Sequence, residues 1–244
     1  MNPRARLVVF LAGAAGFLAL FASAVPLLPE FGGSFHPYRD LAVGAALRRS
    51  TENAVASVNF DLRPIDTFGE ELIFLASAVG AATLLRTTGE GREQAGASAR
   101  VLPLTALGGY LLLPLVFLVG ANIVLHGHLT PGGGFQGGVV LATGLHLLYV
   151  AGDLRALERL RPLSWCVETE AAAGGAFAVV GLAGSLAGAG FLGNALPTGS
   201  SGALLSAGTV PLLNIAVACE VGAGIVVLLA QFLHQALVLT RPES

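Results

Sequence analysis

The chain has no lysine, one methionine, one tryptophan and two cysteines, and charged residues make up only 11% of it. Soluble domains carry roughly a quarter charged residues, so a water-facing globule is excluded. Cys166 and Cys219 lie in or beside apolar runs with no Cys-x-x-Cys spacing, which argues against a disulfide framework and a zinc site. A net charge of −2 without any basic cluster leaves no footprint for a nucleic acid. Arginine supplies all 13 basic residues, and nothing in the sequence explains that choice. What is abundant is apolar surface: 54% hydrophobic residues and a mean hydropathy of +0.76. A bilayer span needs ~20 mostly apolar residues, and several windows qualify. The expected fold class is an all-α integral membrane protein with about six transmembrane helices and both termini cytoplasmic.

The first apolar run, residues 7–28, follows Arg4 and Arg6. Ala22-Ser23-Ala24 resembles a signal-peptide cleavage site, but the run is long for one and further spans follow, so an uncleaved helix is expected. A polar segment, 29–67, precedes the second span at 69–85 and the glycine-rich polar stretch 86–100. The third span, 102–125, carries Pro114 as an expected kink. The fourth is 131–150, followed by the charged turn 153–161; the fifth is 166–192 and the last 212–239. With the N-terminus inside, Arg4, Arg6, Arg86, Arg92, Arg100, Arg155, Arg159, Arg161 and Arg241 fall on the cytoplasmic side. Arg39, Arg48, Arg49 and Arg63 fall outside, all in the first loop, and nine against four satisfies the positive-inside rule. Within that loop, 38–49 reads as a short amphipathic helix suited to the membrane interface.

Residues 126–147, HGHLTPGGGFQGGVVLATGLHL, organise the rest. Thr130 is a suitable N-cap and Pro131 a suitable first helical residue, so a helix is expected from Pro131. Gly132, Gly133, Gly134, Gly137 and Gly138 then fall in its first two turns around Phe135. Each glycine costs ~1 kcal/mol against alanine in an exposed helix interior. In a membrane the return is close backbone approach: Gly133/Gly137 and Gly134/Gly138 are overlapping small-x-x-x-small pairs, expected to receive a helix from elsewhere in a larger complex. His126 and His128 have no third ligand nearby, so no metal pair is expected. No Gly-Lys-Ser/Thr follows the glycines, which excludes a phosphate loop.

The second informative stretch runs from Asn59 to Glu71. Thr67-x-x-Glu70 has the spacing of a capping box, in which both side chains satisfy backbone N–H groups at a helix start. The alternative is functional: Glu70 as a desolvated carboxylate at a helix mouth, tuned by Asp61, Arg63 and Asp66.

HGHLTPGGGFQGGVVLATG, together with SAGTVPLLNIAV at 206–217, resembles the MnhB-like component of Mrp-type multisubunit Na+/H+ antiporters. The same module occurs in membrane-bound hydrogenases and related energy-converting complexes. The likeness covers roughly 101–239. The preceding VNFDLRPIDTFGEELIFLASAVGA, residues 58–81, looks like the two-helix module at the C-terminal end of the large Mrp subunit, a separate small subunit in the hydrogenases. Asp61, Arg63, Asp66, Thr67, Gly69 and Glu70 match that module's pattern, while Leu62, Pro64 and Ile65 depart from it. The resemblance implies a fusion: residues 1–87 as the two-helix module, 88–100 as a cytoplasmic linker, and 101–244 as the four-helix MnhB-like module. It associates the Glu70 position with ion translocation and marks His128, Pro131 and Phe135. It also implies a non-catalytic subunit without cofactor or metal, in a bacterial or archaeal cell membrane. Its expected partners are other subunits of an Mrp-like or hydrogenase-like complex, with Na+ and H+ as transported ions and lipid around it. Neither module contains the lysine- and glutamate-bearing broken helices of the antiporter-like pumping subunits, so transport by the chain alone is not expected.

Glu220 falls well inside the last span, where a charge costs at least ~2.5–3.5 kcal/mol unless paired or protonated. It is therefore either an ion-path residue or a neutral, hydrogen-bonded carboxyl. His128 titrates near neutrality when unperturbed, so it serves proton access or holds its turn. His146 and His234 read as interhelical hydrogen bonders, and Glu168 and Glu170 as acids complementing the start of the fifth helix. Gly174, Gly175, Gly181, Gly184 and Gly188, like Ala218 and Gly222, read as packing seams. Two functions remain: an antiporter component lining part of an ion path with Glu70, Glu220, His128, Asp66 and Asp61 as candidates, or a scaffold in a redox-linked membrane arm.

Overall fold

The computed structural model describes residues 2–28, 32–85, 101–151 and 163–239, and among these every regular element is helical. Eight α-helices follow in order: α1 (Pro3–Ala24), α2 (Pro37–Arg48), α3 (Ala54–Ser57), α4 (Pro64–Leu84), α5 (Pro103–Leu125), α6 (Gly134–Val150), α7 (Leu163–Leu186) and α8 (Val210–Leu239). Among the described residues, five helical stretches are long and apolar enough to cross a membrane: Pro3–Leu27, Pro64–Leu84, Pro103–Leu125, Trp165–Leu186 and Val210–Phe232. The expected fourth span is the exception. α6 has 17 residues, about 25 Å of helix at 1.5 Å per residue, against a hydrocarbon core of ~30 Å. The stretches 86–100, 153–161 and 241, which carry most of the arginines used to orient the chain and the expected linker, lie outside the described residues.

Residues 1–40 and 41–244 form separate compact units. In the first, α1 continues into a 3-10 turn at Val25–Leu27, and apolar side chains such as Val8, Phe10, Phe17 and Leu18 are exposed all around it. The second unit is built on α8. Gly134 and Gly138 of α6 meet Asn214, Ala218 and Gly222 in increasing order along α8, so α6 and α8 run parallel. Gly120 and Gly109 of α5 meet Leu141 of α6 and Ala151 at its C-cap in opposite order, so that pair is antiparallel. α4 and α7 also pack against α8. In lipid, burying apolar surface gives no transfer gain, so close van der Waals contact and hydrogen bonds hold such helices together.

One end of this bundle is closed by three interlocked segments. Asn53 caps α3 through its side-chain oxygen, donates Nδ2–H to the carbonyls of Gly127 (2.8 Å) and Thr130 (2.9 Å), and donates its backbone N–H to His128 O at 3.0 Å. Asn194 closes the 187–209 segment: Nδ2 donates to Ala207 O at 3.0 Å, and Oδ1 accepts from Thr209 N at 3.0 Å. Ser50 and Ser201 tie this segment to residues 50–52 by donating to Gly199 O and Glu52 Oε1. Beneath lies an apolar cluster containing Phe60, Phe177, Leu192, Leu213, Val217 and Val221, with Phe68 stacked 6.0 Å from Phe177.

Two helix starts differ from the sequence expectation. α6 begins at Gly134, not Pro131, because Gly132 and Gly133 hold φ +141° and +139°, values open to glycine and closed to a helix. Thr130 is not an N-cap; its hydroxyl donates back to His126 O at 3.3 Å. The cap comes from another helix: the buried Oδ1 of Asn214 on α8 accepts the Gly134 N–H at 2.8 Å. α4 begins at Pro64, one residue after Arg63, so Thr67 and Glu70 are interior helical residues and make no capping box. Proline's fixed φ suits the first helical position and sets this earlier start.

The glycines also find neighbours other than those expected. A Cβ on Gly134 would collide with Asn214 O, one on Gly137 with Val124 Cγ2, and one on Gly138 would lie 2.8 Å from Ala218 O. The close approach expected of a foreign subunit at Gly133 and Gly137 is made by helices of this same chain. α8 lies against α6 at Gly134 and Gly138, and α5 at Gly137.

Candidate functional site

Just below the closed end, a cavity of about 210 Å³ opens between α3, α4, α6 and α8. Its rim holds exposed Asn59, Glu70, Phe135 and Gln136, and its floor holds buried Thr67, Glu71, Gly133 and Gly134. The backbone forms one wall because side chains are absent at Gly132, Gly133 and Gly134. The edge of Phe135 meets the Phe74 ring, centroids 6.1 Å apart. A larger cavity of about 520 Å³ beside α5, α6, α7 and α8 is apolar, lined by Phe117, Leu145, Trp165 and Cys219 among others. It holds none of the acids.

Under the polar cavity three glutamates are buried together: Glu71 at 2% exposure, Glu170 at 2% and Glu220 at 0%. Glu71 and Glu220 are within hydrogen-bond reach of each other, and Glu170 is the next charge felt by Glu220. Among the described residues, no N–H or hydroxyl donor meets Glu71 Oε2, Glu170 Oε1 or either oxygen of Glu220. A carboxylate only accepts, so the Glu71–Glu220 contact is a hydrogen bond only with a proton between the two.

Small residues make room for these acids. Glu170 and Gly174 lie one turn apart on α7, and Glu220 and Gly224 one turn apart on the antiparallel α8. A Cβ on Gly174 would stand 3.4 Å from Glu220 Oε2, and one on Gly224 3.0 Å from Glu170 Oε1. Each acid thus occupies the space left by the glycine of the opposite helix, in a reciprocal Glu-x-x-x-Gly arrangement.

Sequence reasoning found Glu220 but passed over Glu71 and assigned Glu170 to a helix start. Glu170 is the eighth residue of α7, whose first turn has no acid. Glu71 was legible only with the true helix phase. One residue on a helix is a turn of ~100°, so Glu70 faces the rim while Glu71 faces α8. Asp66 is exposed and paired with Arg63 one turn earlier. The Asp61 carboxyl is buried and bound to Arg49 Nη1 at 2.8 Å. Burial pushes Asp61 above the usual carboxylate range, against the opposing pull of Arg49 and Asn194. Pro131 and Phe135 are exposed. The side chain of His234 lies outside the described residues.

His128 is fully buried in the closed end, its Nε2 3.4 Å from Ala203 O. Burial pushes its pKa below the ordinary 6.5, helped by nearby His126 and opposed by the carbonyls of Ala203 and Leu204. This geometry holds a turn, and no route from solvent to the imidazole is open. Between the lowered folded value and 6.5 the unfolded chain binds more protons, so stability falls as pH falls through that window. Thermal unfolding of the purified protein at pH 7.5 and 5.5 should show a lower midpoint in acid, and His128→Asn should shrink that difference. An equal acid loss in the variant would refute this role.

The fold and site define a multi-pass helical membrane protein with buried acids beneath a polar cavity, and comparison with known proteins is more specific. Residues 104–227 match the family described as "Domain related to MnhB subunit of Na+/H+ antiporter", and the chain belongs to that family. It is 31% identical over 202 residues to an uncharacterized protein of Methanocaldococcus jannaschii, covering 71% of this chain and 74% of the relative. It is 30% identical over 189 residues to a probable K(+)/H(+) antiporter subunit of Rhizobium meliloti, covering 66% of this chain but only 18% of that longer protein. Among solved structures, a chain of the membrane-bound sulfane sulfur reductase (MBS), an archaeal respiratory membrane complex, superposes with a TM-score of 0.68 at 27% identity. That match covers 96% of this chain and 99% of the other. A chain of the Mrp complex from Dietzia sp. DQ12-45-1b shares the fold, with a TM-score of 0.66 at 22% identity over 95% of this chain and 26% of that one. The protein is a multi-pass prokaryotic cell-membrane subunit of the kind found in Na+/H+ antiporter complexes.

Proposed function

We propose that this chain catalyses no reaction itself and lines part of the ion path of a multisubunit cation/proton antiporter through Glu71, Glu220 and Glu170. Its partners are the other subunits of that complex and the surrounding lipid, and the complex exchanges Na+ for H+. Both termini lie on the cytoplasmic side, with the closed end outward, and residues 1–87 and 101–244 act as two joined modules. The carrying observation is Glu220, fully buried with its carboxyl within reach of Glu71 and with Glu170 as the next charge it feels. Several kcal/mol of burial cost are hard to account for by packing alone.

In vesicles carrying the whole complex, Glu220→Gln should lower the antiport rate at least about tenfold, equivalent to ~1.4 kcal/mol or more on the barrier, while subunit stoichiometry is kept. Wild-type rate and sodium dependence in an intact Glu220→Gln complex would sink this reading. Glu70→Gln should have the smaller effect, since Glu70 faces the cavity rim. The second reading is a scaffold in a redox-linked membrane arm. The 99% coverage of the reductase-complex chain favours it, and it predicts that all these variants transport normally.

A further inference from the structure

The path proposed above leaves its cargo and direction open, and the geometry is more specific. We infer that this chain conducts protons and not alkali cations: water in the 210 Å³ cavity delivers them to Glu71, and they then pass to Glu220 and on to Glu170. The inference rests on the ion-path reading and adds its cargo and order.

The cavity has room for several waters, given ~30 Å³ per molecule in the liquid, and its rim of Asn59, Glu70 and Gln136 is polar. Glu71 lines it, almost wholly buried, with Oε2 lacking any donor. The next acceptor is Glu220 on α8, already within hydrogen-bond reach. Glu170 then lies one turn further along α8, at the level of Gly224. That turn is about 5–6 Å of rise, a step for a reorienting carboxyl or one water. The acids therefore form a file from the cavity into the bundle.

Each transfer balances simply. A carboxylic acid O–H bond breaks as the neighbouring carboxylate gains the proton, and the next proton enters Glu71 from cavity water. The titratable groups facing Glu71 are Glu70 on its own helix, Glu220 from α8 and, beyond it, Glu170 from α7. Glu71 and Glu220 can hydrogen-bond only through a proton, so a proton shared between them is what this contact can hold.

An alkali cation is poorly served along the same route. Hard cations take about six oxygen ligands, yet no three His, Cys, Asp or Glu side chains among the described residues converge on one point. Beside Glu220 the wall is the bare Gly174.

The test uses the complete complex in vesicles, with NaCl as the varied ion, and compares Glu71→Gln, Glu220→Gln and Glu170→Gln. Each variant should lower the maximal antiport rate about tenfold or more while leaving the half-saturating sodium concentration within about twofold. Infrared difference spectra of the purified complex should show a protonated-carboxyl band that shifts in D2O and is lost in Glu220→Gln. Glu71→Asp, which keeps the acid, should recover part of the rate and shift its pH profile. A several-fold rise in half-saturating sodium in the glutamine variants would overturn proton cargo while keeping the ion path. Unchanged rates would remove the ion path itself. Loss of rate without the infrared band in wild type would also overturn proton storage in the file.

Discussion

Leucine in place of Gly137 is expected to leave no correctly packed protein. Even the first added carbon collides with Val124 Cγ2 and lies 3.1 Å from Gly120 O. Val124 is buried, and Gly120 is itself pressed against Leu141, so neither α5 nor α6 can retreat without opening the next contact. Overpacking typically costs ~1–3 kcal/mol when side chains can yield. Here the second obstacle is backbone, so ~4 kcal/mol or more is expected, in the range that unfolds marginal proteins. The check is the amount of this chain recovered folded after mild detergent extraction, expressed without its partners. The setting matters, because loss only within the complex would mean that the glycine face serves a neighbouring protein. Gly134→Leu should behave alike, since its Cβ would strike Asn214 O. Gly175→Leu, with open space at the Cβ position, should be harmless.

The second large effect is expected at Asn214. Its side chain accepts the Gly134 N–H at 2.8 Å and donates Nδ2–H to Val210 O at 3.3 Å, all of it buried. A hypothetical Cβ on Gly127 or on Gly133 would lie 3.0 Å from Asn214 Oδ1, so the amide fills the space those glycines leave. Asn214→Leu removes the acceptor and strands a buried N–H at a helix start. Leaving such a donor unpaired costs ~1–3 kcal/mol, to which the shape mismatch adds. Asn214→Asp keeps the oxygen, and its charge suits the positive end of α6. It should therefore lose less. Thermal unfolding should rank wild type above Asn214→Asp and both above Asn214→Leu; equal losses in the two variants would refute the cap.

Much of this was legible from the chain alone, and the misses have identifiable causes. Apolar run length gave five spans to within a few residues, because a bilayer imposes one length on every crossing helix. It also found the helix at α6 but began it three residues early, since Thr130-Pro131 imitates a helix start. Gly132 and Gly133 cancel that start through their positive φ, which glycine permits and the local pattern does not announce. Thr67-x-x-Glu70 imitated a capping box in the same way, while Pro64 carried the real start. The error moved attention from Glu71 to Glu70, neighbours that lie ~100° apart around the helix. The paired Glu-x-x-x-Gly spacings at Glu170 and Glu220 were present in the sequence, but they acquire meaning only once α7 and α8 are known to be antiparallel neighbours.

The sequence by itself determined the solvent of this protein, its helical class and its family, because hydropathy and short motifs are local properties of the chain. Only the tertiary structure decided which helix fills the glycine face, which residue caps α6 and which glutamates meet. Those are contacts between residues as far apart as Glu71 and Glu220, and helix phase and packing order set them.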